Sequence, residues 1–179
     1  MISKKRKGDK YEMIKTKKLS ALIMMMALLF GLCGIAQAAN TANQTVLYQV
    51  TDINAISVSG NPGTLIMNAA TAGALPDAVS DSSTSYSVTT NGTTKKITAK
   101  IDSAMPTDLA LKVFLTAPNV SGASAIGAVL TTAEADVVTG IGPVVASDLT
   151  IRYELHPAGT TPPTPTSGTK TVTFTLTDQ

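Results

Sequence analysis

From Thr45 to the end of the chain, apolar and polar residues alternate in short runs separated by Gly, Pro, Asn and Ser. Leu109, Leu111, Val113 and Leu115 fall on one parity and Ala110, Lys112, Phe114 and Thr116 on the other, which predicts a half-buried strand. Leu149, Ile151, Tyr153 and Leu155 alternate with Thr150, Arg152, Glu154 and His156 and predict another. Val172, Phe174 and Leu176 alternate with threonines in a last strand over 169–178. At the start, Val46, Tyr48 and Val50 alternate with Leu47, Gln49 and Thr51, and Ile56 and Val58 resume the pattern; two strands, or one bulged strand, fit 45–59.

Between these runs the signals are local. Gly60-Asn-Pro-Gly63 predicts a turn, Leu65-Ile-Met67 a short strand, and 69–83, which has no period, a loop. Tyr86 and Val88, then Asn91-Gly92, then Ile97, Ala99 and Ile101 predict a β-hairpin over 84–101, because Asn-Gly supplies the two positive-φ positions of a type I′ turn. Lys96, Thr98 and Lys100 form its outward face. Pro118 to Gly122 predicts a turn and Ala125 to Leu130 a short strand. Thr131-Thr-Ala-Glu134 resembles a capping box and predicts a single helical turn near 132–138. The Pro/Thr-rich stretch from His156 to Gly168 reads as a loop.

Strands spaced roughly ten residues apart, with turn signals between them and no long helix, predict an all-β domain. The expected fold is an immunoglobulin-like antiparallel β-sandwich of about seven to nine strands over 45–179, preceded by a flexible arm, 39–44. The Trp and Cys pair of antibody domains is absent, so only the general architecture is implied.

The first 38 residues follow a different rule. Met13-Ile-Lys-Thr-Lys-Lys18 is basic, Leu19 to Ile35 is almost wholly apolar, and Ala36-Gln-Ala38 has the small-x-small end read by signal peptidase. That order predicts a secretory signal peptide over 1–38, cleaved between Ala38 and Ala39. A second basic group, Lys4 to Lys7, precedes it, so Met13 is a candidate for the true start. An uncleaved membrane anchor is the alternative, its apolar run lying at the lower edge of a bilayer span. Cys33 raises a lipoprotein reading, which Leu32 in place of a small residue opposes.

Export changes the charge balance. Of 14 Lys+Arg and 12 Asp+Glu, eight basic and two acidic residues precede residue 39. Six and ten remain, a net of −4, which disfavours nucleic acid as a partner. The sole cysteine leaves with the leader, so an exported domain has to be held by its core or by a partner. The membrane is expected as a partner only through the leader before cleavage.

Chemistry is sparse. His156 is the only histidine; a Ser-His-Asp hydrolase would need it, and no Gly-x-Ser-x-Gly is present. No zinc-type site can be assembled from one histidine and no mature cysteine. Asp77 and Asp81, and Glu134 and Asp136, are acidic pairs without the spacing of a known calcium loop. Of the five aromatics after the leader, Tyr48, Tyr86, Phe114, Tyr153 and Phe174, only Phe114 lies on an outward parity; it is expected to face a second layer or a partner. The sequence therefore predicts no enzyme, no catalytic residue and no cofactor.

The polar arm followed directly by the alternating segment 45–51 suits one subunit completing another's sheet. With the Thr-rich middle, Thr94-Lys-Lys96 opening a strand and the Thr/Pro/Gly loop before Val172-x-Phe174-x-Leu176, it gives the chain a loose resemblance to pilins of the alternate chaperone–usher class. That resemblance implies that a neighbour's N-terminal strand completes the sheet, with Val46, Tyr48 and Val50, and Ile56 in a longer version, as inserted side chains. The expected function is a non-catalytic structural or adhesive role at a bacterial cell surface or in the periplasm. The partner is a second copy or another surface protein meeting its edge strands. A pilin-like fibre subunit and a small-ligand or carbohydrate-binding module stand as alternatives.

Overall fold

The alternation predicted along the chain is realised in a computed structural model that describes residues 41–179. The expected leader 1–38 and its expected cleavage residues Ala38 and Ala39 lie outside the described residues. The described part holds nine strands and no helix: β1 Asn54–Val58, β2 Val79–Thr90, β3 Lys95–Ile101, β4 Leu109–Leu115, β5 Ser124–Ala125, β6 Ala128–Val129, β7 Ala135–Ile141, β8 Val144–Pro157 and β9 Val172–Asp178. They form two antiparallel sheets, one ordered β1-β2-β8-β4-β6 and the other β5-β7-β3-β9. This is the all-β sandwich that the pattern predicts. The sheets lie within residues 49–179, one compact unit; residues 41–48 are a separate unit.

The core is the set of inward parities. Tyr86 and Val88 of β2, Leu111, Val113 and Leu115 of β4, and Ile151 and Tyr153 of β8 come from the first sheet. Ile97, Ala99 and Ile101 of β3 with Val137, Val138 and Ile141 of β7 come from the second. Each fully buried Val or Ile contributes about 1.5–3 kcal/mol relative to exposure. With no tryptophan in the chain and no cysteine among the described residues, the contacts of these aliphatic and tyrosine side chains carry the domain.

Val137 and Val138 are adjacent and both buried, which strict alternation forbids. The register explains it: Ile97 pairs Val138 while Thr98 pairs Asp136, so Val137 is an extra residue in a bulge. A second irregularity in the same ladder contains Gly140, at φ +70°. A Cβ there would collide with the Gly122 carbonyl, so both backbone angle and space require glycine. In the β2–β8 ladder, Asp148 takes φ +57° where one extra β8 residue lies between Leu149 and Ala146.

Several local expectations are corrected. Strands β2 and β3 exist but do not form the 84–101 hairpin: β2 pairs β1 and β8, whereas β3 pairs β7 and β9. The residues 91–94 form an arch between the sheets, and Gly92 does not adopt positive φ. A hairpin and an arch produce the same alternation, and the choice falls to the longer ladders that β8 and β9 offer. Asn91 has another task. Its Oδ1 accepts from Ile53 N at 2.8 Å, its Nδ2 donates to Thr51 O at 2.8 Å, and its own N donates to Ile53 O at 3.2 Å. Gly92 leaves room for the Lys95 stem, which a Cβ would strike.

The helical turn near 132–138 is instead the start of β7. Thr131 Oγ1 accepts from Ala133 N at 3.2 Å, as a cap would, but Val137 and Val138 then enter the core as strand residues. The strand expected over 125–130 is split into β5 and β6, which join opposite sheets. Leu65 to Met67 form no strand, and the end of the expected 69–83 loop belongs to β2. Of 45–59, only 54–58 is a strand.

Two substitutions separate these roles. Asn91→Gly keeps the angles a type I′ turn needs but removes both side-chain bonds to 51–53. It is expected to lower stability by about 1–2 kcal/mol in urea unfolding, a loss that a simple hairpin turn would not show. Ile97→Ala, at the centre of the core, is expected to cost about 2–5 kcal/mol in the same measurement.

Candidate functional site

Residues 41–51 contain no charged side chain and, from Val46, much apolar surface. Val46 is 74% exposed, Leu47 96%, Tyr48 87% and Val50 76%. None of them lies in a strand, so the expected strand over 45–51 is absent and these side chains are unpaired in the single chain. Ile56, by contrast, lies in β1 opposite Val88 and packs against the core. It therefore belongs to the domain's own sheet rather than to a free strand. The backbone is fixed again from Thr51 to Ile53 by Asn91. Asp52 then reaches Lys95 Nζ at 3.4 Å.

Lys95 is the buried cation of the fold. It takes an inward position at one end of β3, its side chain is only 8% exposed, and its Nζ lies 2.6 Å from Asp178 Oδ1 at the end of β9. The hydrogen bond it donates to the Asp178 carboxylate, helped by Asp52, holds its ammonium pKa above the usual lysine range despite some desolvation. One amine thus links the end of the last strand to the residue that precedes β1.

Next to this junction lies a sheet edge. Among the described strands β9 pairs only with β3, in an uninterrupted register from Lys95–Asp178 to Ile101–Val172. No described strand is hydrogen-bonded to the other backbone edge of β9, although β1 of the first sheet comes close to it. Its inward residues Val172, Phe174 and Leu176 pack against the core but stay partly exposed, whereas Ile97, Ala99 and Ile101 one strand inward are buried. From Val172 to Thr177 it has no charge, proline or bulge, the devices that normally protect an edge. The strands β5 and β6 at two other edges are two residues each, and β1 is five.

The remaining sequence candidates are engaged elsewhere. Phe114 lies on the outer face of the first sheet, where the Arg152 guanidinium covers its ring at 3.9 Å. Gly127 fits against the ring edge, with no room for a Cβ. The ring therefore faces neither a second layer nor open solvent as a stacking platform. Arg152 also bonds Glu154 at 2.7 Å. His156 Nδ1 lies 3.0 Å from Pro157 O, and its Nε2 is buried without a partner, so no hydroxyl is bonded to the ring. Asp81 accepts from Ser83 N and Oγ at 3.0 and 2.7 Å, a local turn that depresses its pKa. Glu134 pairs with Lys100 at 3.1 Å and Asp136 with Lys96 at 3.0 Å across β3 and β7. The Lys100 contact depresses the Glu134 pKa. Among the described residues, no three His, Cys, Asp or Glu side chains gather as a metal site would require.

A cleft of about 240 Å³ opens between Met105, Leu109, Ala110, Val129 and Thr131. It is lined mainly by apolar side chains and brings no titratable group together. Sequence reasoning singled out Val46, Tyr48 and Val50, which the structure leaves exposed, but not the β9 edge. The uncharged Val172-x-Phe174-x-Leu176 run was its signal, but only the sheet order shows that nothing described pairs with its far side.

Alkaline pH tests the buried polar groups. Burial raises the Tyr153 pKa to about 12 and pushes that of Tyr86, whose hydroxyl donates to Thr116 O at 2.6 Å, higher still. Raised folded pKa values, like that of Lys95, give stability that is present below the unfolded values near 10 and lost as pH rises through the folded ones. Melting temperature is therefore expected to fall steadily above about pH 10, and less steeply in Tyr86→Phe.

Searched against protein-family models, curated proteins and solved structures, the chain matches none.

Proposed function

We propose that this protein is an exported, non-catalytic structural subunit of the bacterial cell surface, joined to further copies by strand exchange through residues 45–51. The observation that carries this reading is the exposure of Val46, Leu47, Tyr48 and Val50 in a segment without charge. Monomeric proteins seldom keep so much contiguous apolar chain in water, and such surface marks an interaction site. The alternation Val46-x-Tyr48-x-Val50 suits insertion as a strand, in which one parity enters a core and the backbone pairs with an edge. Burying each such apolar side chain returns about 1.5–3 kcal/mol. The leader-like residues 1–38 support export, and the loose pilin-like layout agrees with assembly outside the cytoplasm.

Strand-exchanged assemblies often survive detergent but not heat, since every joint combines backbone pairing with buried side chains. The protein expressed from its full sequence is expected to give a ladder on an unboiled denaturing gel that collapses to one band on boiling. Tyr48→Asp places a charge in the inserted strand and is expected to remove the ladder while leaving the domain's urea transition unchanged. A single band under both conditions for the unaltered protein defeats the reading.

A further inference from the structure

We infer that Asn91-Gly92 is a deamidation site which the fold holds in check, and that its reaction unfastens residues 51–53 from the domain. The inference stands apart from the strand-exchange reading, and water is the only reactant it needs.

Of the seven asparagines in the chain, Asn91 alone precedes a glycine. A glycine N, with no side chain beside it, closes most readily on the side-chain amide before it. Gly92 N gives its proton to a solvent base and bonds to Asn91 Cγ. The Cγ–Nδ2 bond breaks, and Nδ2 takes up a proton and leaves as ammonia. Water then adds across one C–N bond of the five-membered imide, leaving an aspartyl or isoaspartyl residue at position 91. The balance is amide plus water to acid plus ammonia, with no change of oxidation state. Asn91 is exposed, so water and base reach it. A Cβ at position 92 would strike the Lys95 stem, so the arch itself keeps glycine after Asn91.

The fold holds every group that ring closure must move. Gly92 N donates to Thr90 Oγ1 at 3.0 Å. That hydroxyl belongs to a buried threonine and itself donates to Asn54 Oδ1 at 2.7 Å. Asn91 Oδ1 accepts from Ile53 N, and Nδ2 donates to Thr51 O, both at 2.8 Å. Turning the amide for attack at Cγ breaks the two bonds to 51–53, and deprotonating Gly92 N breaks the third. Reaction therefore waits on a local opening of the arch.

The same geometry makes the product a release. A carboxylate accepts hydrogen bonds and donates none. In place of Nδ2 it sets an acceptor against the Thr51 carbonyl, which loses its donor and faces a negative charge. An isoaspartyl residue also lengthens the main chain by one carbon and displaces its N from Ile53 O, now 3.2 Å away. Residues 51–53 thus lose the side-chain clasp that precedes β1, while the core strands are untouched.

Peptide mass spectrometry of the full chain tests this, following the mass gain of amide-to-acid conversion at position 91 in mildly alkaline buffer. Conversion is expected in urea, and at least about tenfold more slowly in the folded protein. Thr90→Val, which removes the hydroxyl but keeps the side-chain volume, is expected to speed conversion in the folded state and leave the rate in urea unchanged. The converted protein, separated by its added negative charge, and Asn91→Asp are then compared with the parent by amide hydrogen exchange. Exchange over residues 51–54 is expected to rise several-fold in both, with β3, β4 and β8 unchanged. No conversion in urea, or equal rates folded and in urea, overturns a site held by the fold. An unchanged folded rate in Thr90→Val overturns the hold on Gly92 N. Exchange over 51–54 that is the same before and after conversion overturns the release.

Discussion

The constraint on which this structure depends is the sheet change at every connection from β2 onward. The chain passes β2, β4, β6 and β8 to one sheet and β3, β5, β7 and β9 to the other. No strand after β2 can therefore bond to the strand before it, and each ladder must be supplied from a distance. β8 is the chief supplier, lying between β2 and β4 across almost its whole length. β3 plays the same part between β7 and β9 in the other sheet. The inward residues of both sheets, among them Ile97, Ile151, Val113 and Val138 with Tyr86 and Tyr153, make one core. Assembly from non-local ladders also makes folding slow relative to hairpin-built domains of similar size.

The same constraint sets where the sheets end. A sandwich has edges, and the last strand delivered occupies one of them. β9 closes the chain against β3 and is hydrogen-bonded to no described strand on its other side, while Lys95 ties its end to Asp52. The inward residues of β9, Val172, Phe174 and Leu176, pack against the core and stay partly exposed beside this tie.

Charges elsewhere serve the sandwich itself. Lys96 and Lys100 cross to Asp136 and Glu134 on the neighbouring strand, and Arg152 covers Phe114 while bonding Glu154. These contacts occupy the Glu134/Asp136 pair and the one outward aromatic that the sequence offered as chemistry. Each is a small contribution to a sheet, across neighbouring strands or, for Arg152 and Glu154, along one strand, rather than a gathered site.

Much of the fold was legible in the sequence because period two records which side of a strand is buried. The β4 bounds, the inward residues of β8 and the Val172-x-Phe174-x-Leu176 face follow from alternation alone. The exposed Val46, Tyr48 and Val50 fall on one parity of the same pattern, although no strand forms there. What alternation does not contain is the identity of the partner strand, since an arch and a hairpin place the same residues inward. Hence Asn91-Gly92 read as a hairpin turn, although Asn91 spends its side chain holding Thr51 and Ile53. Hence too Thr131 to Glu134 read as a helix start, because a bulge at Val137 breaks the period where the strand begins. The sequence by itself determined the class of structure and the faces to be buried, because these depend on the transfer of each side chain from water. Only the tertiary structure decided the sheet order, the bulges and the open edge of β9, because backbone hydrogen bonds are alike at every residue and are allotted by the competition among whole strands.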